Sequence, residues 1–218
     1  MPSNKSKKMK KLSQLVLAAL FVIAGTTAKS QNLQGQTVFT LNAGYSLTGN
    51  VIKNAFSDDA FNTYTTSIKV SPVIIIGADY AISDKFSLGA AFTTQSMKGT
   101  ITGYEYFNDS DELVTENFDF TLRRSHIALI PKFHFGTDND KLDVYIGARI
   151  GYVMWKYKDD SKDPDFDELG SAINGRVTVG FTGGMRYYFT DNIGANFDLN
   201  LGAPYIVSLG LNFRIGGN

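Results

Sequence analysis

Residues 142–155 read Leu-Asp-Val-Tyr-Ile-Gly-Ala-Arg-Ile-Gly-Tyr-Val-Met-Trp, and sorting them by parity separates two chemistries. The even positions, Leu142, Val144, Ile146, Ala148, Ile150, Tyr152 and Met154, are apolar without exception. The odd ones mix Asp143, Gly147, Arg149 and Gly151 with Tyr145, Val153 and Trp155. Successive side chains of a strand point to opposite sides, so a period of two over this length describes a strand between two unlike environments.

The same alternation recurs in both directions along the chain. Residues 176–189 set Val177, Val179, Phe181, Gly183, Met185, Tyr187 and Phe189 against Arg176, Thr178, Gly180, Thr182, Gly184, Arg186 and Tyr188. Residues 193–202 and 207–215 repeat it, as do 39–48, with Phe39, Leu41, Ala43, Tyr45 and Leu47 on one side. Residues 86–92 and 126–135 alternate as well. Residues 70–80 do so least clearly, because Val73 and Ile75 put apolar groups on both faces. Pro72 and Pro131 each remove a ladder donor and call for a bulge or a strand end. The total is eight strands, each near the 9 to 11 residues that cross a bilayer at a tilt.

The connections alternate in length. Residues 81–85, 136–141 and 190–192 are tight and rich in Asp, Asn, Gly, Ser and Lys, whereas 49–67, 99–117 and 156–173 are long and polar. Residues 203–205 are the one short connection on the long side. Short turns on one rim and long loops on the other predict an all-β fold: an eight-stranded, antiparallel, up-and-down transmembrane β-barrel with periplasmic turns and extracellular loops.

Side-chain size decides which face points outward, since a soluble barrel also alternates. Gly, Ser, Thr, Asn and Ala dominate the polar face and suit the narrow interior of eight strands. About five bulky apolar groups per strand would overfill that interior and are expected to meet lipid. Tyr45, Tyr80, Phe86, Tyr152, Tyr187, Phe189 and Tyr205, near strand ends, are read as interfacial girdles.

At the N-terminus, Lys5, Lys7, Lys8, Lys10 and Lys11 precede the ten apolar residues 15–24, and small residues lead to Ser30. Ten is half of what a membrane-spanning helix needs, so residues 1–30 are expected to be a cleavable signal peptide and 31–218 the barrel domain, beginning at Gln31. Six of the 21 basic residues fall in that leader, which leaves 15 against 21 acids. A chain of that balance is not expected to bind nucleic acid. The absence of Cys and the presence of only two His exclude a disulfide framework, a thiol nucleophile and a Cys-based zinc site.

Three stretches, residues 81–89 (Ala-Ile-Ser-Asp-Lys-Phe-Ser-Leu-Gly), 145–152 (Tyr-Ile-Gly-Ala-Arg-Ile-Gly-Tyr) and 207–214 (Val-Ser-Leu-Gly-Leu-Asn-Phe-Arg), resemble the small outer-membrane β-barrel proteins of the OmpX-like, OmpA-transmembrane-like and PorT-like group. The resemblance implies export and insertion into a Gram-negative outer membrane by the barrel-assembly machinery. It names no activity.

On the inferred inner face lie Asp79, His126, Lys132, His134, Asp143, Arg149, Arg176, Arg186, Asp198 and Arg214. Buried charges must pair, and folding the hairpin about residues 138 and 139 sets His134 opposite Asp143, while the hairpin about residue 191 sets Arg186 diagonal to Asp198. These residues are expected to plug the lumen. Ser125 and His126 are neighbours on one strand, hence on opposite faces, and cannot form a nucleophile–base pair. The expectation is a non-enzymatic protein with no catalytic residue, no cofactor and no metal. Its role is structural or interactive, through acidic loops whose Phe56, Phe61, Tyr64, Tyr104, Tyr106, Phe107 and Phe166 are expected as exposed aromatic anchors, and which meet outer-membrane lipid, lipopolysaccharide and an extracellular or envelope protein. A PorT-like secretion-accessory protein and a lipid A-modifying enzyme are the alternatives. Residues 159–168 place acids at alternate positions as a calcium loop does, but the Gly and Glu such a loop requires are replaced by Glu168 and Asn174. A solvated acidic loop accounts for them better.

Overall fold

In a computed structural model, residues 32–57, 64–108, 110–163, 175–202 and 204–216 are described. The expected signal peptide lies outside them. The strands are β1 (Thr37–Tyr45), β2 (Thr65–Val70), β3 (Val73–Ser83), β4 (Phe86–Phe107), β5 (Leu113–Phe135), β6 (Leu142–Asp159), β7 (Arg176–Tyr188), β8 (Ile193–Leu201) and β9 (Val207–Ile215), and one helix, α1 (Leu47–Ser57), follows β1.

Each strand pairs antiparallel with its neighbours, and β9 returns to β1, so the ring closes. β2 and β3 are one stave in two pieces, both paired to β4. The break falls at Ser71-Pro72, where proline cannot donate. Ser71 repairs it: its N–H donates to the Ser96 carbonyl at 2.9 Å, and its hydroxyl accepts the Ser96 N–H at 3.0 Å. The barrel therefore has eight staves, as the alternation predicts. Pro131, in contrast, sits in mid-strand. The β5–β6 ladder skips from Leu129 to Lys132 without changing register.

The outer wall is apolar. Phe39, Leu41, Ile76, Leu88, Phe92, Ile127, Leu129, Ile150, Phe181, Leu209 and Leu211 all point out and are more than 40% exposed. Such a wall is stable only against hydrocarbon, and closure leaves no unpaired edge within it. Among the described residues no helix is long and apolar enough to cross a membrane. Tyr45, Tyr80, Phe86, Tyr152, Tyr187 and Phe189 lie outward as girdle residues. Tyr205 does not. It is 3% exposed and turned into the lumen, because the short loop before β9 lets it fold inward.

Two further expectations are corrected. Residues 49–67 are not wholly loop, since α1 begins right after β1, with the Ser46 hydroxyl accepting the Thr48 N–H at 3.2 Å as a cap. Gly49 and Asn50 weaken the helical signal in sequence. Residues 99–117 are not a loop either. β4 and β5 run for 22 and 23 residues and form one continuous hairpin that turns only at residues 108–112.

That hairpin changes character along its length. Ile74, Thr94, Ser125 and Met154 stand in register across four neighbouring staves. Between the turns and this line, the outward residues of β4 and β5 are Phe86, Leu88, Ala90, Phe92, Ile127, Leu129, Pro131 and Phe133. Beyond it they are Ser96, Lys98, Thr100, Arg123, Thr121 and Asp119. The inward side changes in the opposite sense, to Met97, Ile101, Phe118, Phe120 and Leu122, all buried. Below the line the barrel is apolar outside; above it the sheet has the ordinary arrangement of a protein in water. The nine residues from Phe86 to Thr94 match one bilayer crossing.

Candidate functional site

The lumen is filled in layers. Nearest the turns, Asp79 accepts the Lys132 ammonium at 2.8 Å and is also paired with the Arg186 guanidinium. Arg186 reaches Asp143 at 3.5 Å, and His134 Nδ1 lies 2.8 Å from the same carboxylate. Asp198 accepts the Tyr145 hydroxyl and the Asn42 amide, the latter at 3.0 Å. Lys132 and Arg186 both lie over the Tyr145 ring, at 4.7 and 4.8 Å. Gly89 and Gly184 leave the space: a Cβ on either would stand 2.0 Å from Asp79 Oδ1 or 2.6 Å from Asp198 Oδ1.

Of the two pairings expected from hairpin folding, His134–Asp143 is present, although the register is shifted so that the two are diagonal. Arg186 and Asp198 do stand diagonal across β7–β8, as expected, but Arg186 takes another partner. Arg186 reaches across the lumen to Asp79 on β3, and Asp198 is satisfied by neutral donors. Above this network Val73, Ile75, Ala91, Ala128, Ile130 and Tyr205 form an apolar layer. Val73 and Ile75, which blurred the alternation of residues 70–80, are thus lumenal packing. Arg214 lies at the turn rim, stacked 4.0 Å from the Tyr188 ring, and Arg176 lies exposed at the opposite rim.

One constellation was not anticipated. Ser87 Oγ lies 2.8 Å from His134 Nε2, and His134 Nδ1 lies 2.8 Å from Asp143, which is the order of nucleophile, base and orienting carboxylate in a hydrolase. Ser87 pairs with Lys132 across β4–β5, so only the ladder brings it to His134. Ser87 and His134 are both fully buried. A substrate carbonyl has no path to Oγ, and Arg186 shares the carboxylate. The geometry is that of a structural hydrogen-bond chain. A serine-directed fluorophosphonate is accordingly expected to leave the folded protein unlabelled; labelling that disappears in Ser87→Ala would make this a working nucleophile. Ser125 and His126 point to opposite faces, as their adjacency requires, and His126 Nε2 is spent on Thr178 Oγ1 at 2.7 Å.

The projecting sheet is the second candidate. Ile68, Ile101, Phe118 and Phe120 form a cluster, with Tyr64, Val70, Tyr104 and Tyr157 packed against it. Gly99 lets the Phe120 ring lie flat on the sheet, for a Cβ there would stand 2.3 Å from it. Tyr64 and Tyr104, expected as exposed anchors, are instead edge to face at 5.7 Å within this cluster. Phe56, Phe61 and Phe166 carry the same expectation but lie outside the residues whose side chains are described. At the hairpin tip, Phe107 and Leu113 are paired and remain 70% and 59% exposed. Asn108 Oδ1 holds the turn, accepting the N–H groups of Ser110 and Glu112 at 2.9 and 3.0 Å, while Asp111 takes the left-handed conformation.

Part of the acidic loop is fastened to this sheet. The Asp119 N–H donates to Asp160, Ser161 Oγ to Glu116, and Tyr104 Oη to Asp163 at 2.9 Å. These acids therefore serve as acceptors for protein donors. Among the described residues no group of three or more His, Asp or Glu is placed to hold a metal, and Glu168 and Asn174 of the calcium-loop comparison lie outside them.

No protein-family model and no curated protein matches the chain. Solved structures do resemble it. The outer membrane protein OprG of Pseudomonas aeruginosa superposes with a TM-score of 0.50 at 10% identity, over 84% of this chain and 97% of that one. The N-terminal β-barrel domain of OprF from the same organism gives 0.44 at 14% identity, over 84% and 99%, and the attachment invasion locus protein Ail of Yersinia pestis gives 0.40 at 9% identity, over 84% and 100%. At such identities the likeness concerns fold alone, and what the chain has in common with OprG is the architecture of a small outer-membrane barrel.

Proposed function

We propose that the chain is an exported, non-enzymatic outer-membrane protein of a Gram-negative cell, whose task is to engage another envelope or extracellular component through the sheet that rises above its barrel. The observation that carries this reading is the hairpin tip. Phe107 and Leu113 lie side by side, exposed, at the end of a hairpin far longer than a membrane crossing requires. A solvated apolar pair on a rigid support is a poor way to stabilise a fold and a good anchor for a partner. Residues 99–117 carry Glu105, Asp109, Asp111, Glu112 and Glu116 and no basic residue, so the tip favours a basic or cation-coated surface and repels bare lipopolysaccharide. Likeness in fold to OprG supports the membrane assignment.

The test is to join Ile101 to Phe118, which already face each other, through an Asn-Gly turn and so delete residues 102–117. The shortened protein is expected to reach the outer-membrane fraction and retain a heat-modifiable band, while failing to complement a deletion strain and losing cross-links to envelope partners. Full complementation by the shortened chain would place function in the wall or lumen.

A further inference from the structure

The outer mouth of the lumen holds a cavity of about 290 Å³, and its charge is unlike that of the layers beneath. Ser46, Thr48, Arg124, His126, Trp155 and Arg176 are among the residues that line it, and among the described residues no carboxylate does. In the lower lumen every cation meets an aspartate. Here none does. Arg124 is 5% exposed, and its guanidinium donates to Thr48 Oγ1, Ser46 Oγ, Gln95 Oε1 and the Pro204 carbonyl, all neutral acceptors that leave its charge uncompensated.

Beneath Tyr205 lies Arg149, 3% exposed, which donates Nη2 to the Tyr205 hydroxyl at 2.9 Å while Nε and Nη1 find no acceptor. His126 is 1% exposed and lines the cavity with Nδ1 unpartnered. The first turn of α1, with no acid in it, adds the positive end of a helix at the same wall. Buried donors and cations left this way cost free energy unless something supplies the missing acceptors. Leu47, Val153, Trp155 and Ile206 give the wall an apolar and aromatic part, and Thr178 and Asn200 add further neutral polar side chains.

We propose that this mouth is a binding site for a small soluble oxyanion carrying a compact apolar or aromatic body. Its carboxylate or phosphate faces Arg124, Arg176 and His126, and its apolar part lies against Trp155 and Leu47. Arg149 contributes its field from below. The site is independent of the projecting hairpin tip, so its failure would leave that reading untouched. Its lining straddles the Ile74–Thr94–Ser125–Met154 line, with Arg124 and Trp155 on the solution side and His126 and Val153 one position below, so a ligand from water is the one proposed.

Trp155 is the only tryptophan in the chain, and it reports on this cavity directly. The full mature protein, refolded in zwitterionic micelles, is titrated with benzoate while Trp155 emission is followed. Benzamide serves as the neutral counterpart, and inorganic phosphate as competitor. Benzoate is expected to saturate with a dissociation constant at or below roughly 1 mM. Phosphate is expected to displace it, and benzamide to give no saturable response. Arg176→Gln, at the exposed rim and outside the packed lumen, is expected to weaken benzoate roughly three- to fivefold without moving the heat-modifiable band. Equal responses to benzoate and benzamide, a benzoate response that stays linear, or an Arg176→Gln titration identical to the parent would each overturn the proposal.

Discussion

Asp79→Asn is expected to destabilise the barrel by about 3–5 kcal/mol, the usual penalty for stranding a buried charge. The carboxylate is shared by Lys132 and Arg186, and the two do not depend on it equally. Arg186 keeps Asp143 at 3.5 Å, whereas every ion pair and hydrogen bond of the Lys132 ammonium in the structure goes to Asp79. The stranded group is therefore Lys132, 7% exposed and facing the Tyr145 ring. Adding Lys132→Met to Asp79→Asn removes the stranded charge, and the double variant is expected to regain most of the loss. Equilibrium urea unfolding in micelles, with the heat-modifiable band as a second readout, measures both. If the single variant unfolds with the parent midpoint, the network is ornamental and the stability resides in the ladder and the wall alone.

The alternation of Leu142–Met154 made the wall legible, because lipid outside and a narrow polar lumen inside leave little latitude at any position. It did not reveal the projecting hairpin. In β4 the inward parity holds from Ser87 to Ile101, with Gln95, Met97, Gly99 and Ile101 continuing the face that begins with Ser87 and Gly89, and it shifts only at the bulge between Ile101 and Tyr104. What changes is the environment, so inward positions become apolar and outward ones polar. A reader who expects apolar residues outside sees the pattern dissolve at Thr94 and takes the rest for loop. As far as Ile101 the phase was intact and only its meaning had inverted.

Lumenal pairing divides in a similar way. His134 and Asp143 are nine positions apart across one tight turn, and hairpin geometry nearly places them. Arg186 and Asp79 are 107 positions apart and meet only because the ring closes. The Ser87–His134 contact likewise depends on the β4–β5 ladder. Tyr205 follows a short irregular connection, where parity has no fixed origin, so neither its inward turn nor its bond to Arg149 was readable beforehand. The mouth cavity shares that obscurity, since its walls come from α1, β5, β6, β7, β8 and the loop before β9.

The position of the membrane boundary can be tested by two substitutions on one face of one strand. Leu129 and Thr121 are both outward-facing residues of β5. Leu129 lies in the middle of the apolar belt and is 57% exposed, with Ile127 and Phe133 on the same face. Thr121 lies beyond the boundary, opposite Lys98 and Lys158, with Asp119 the next outward residue. Leu129→Arg is expected to cost about 2–4 kcal/mol, the penalty for a guanidinium near the bilayer midplane, and to slow insertion into vesicles. Thr121→Arg, in water, is expected to cost about 0–0.5 kcal/mol. The contrast separates hydrocarbon from solvent on a single ladder, because side-chain direction and strand are held constant. Equal penalties would mean that the hydrocarbon extends past the Thr94–Ser125 line, and the sheet above it would then have to be read as wall. A negligible penalty at Leu129 would remove the lipid assignment of the outer face altogether.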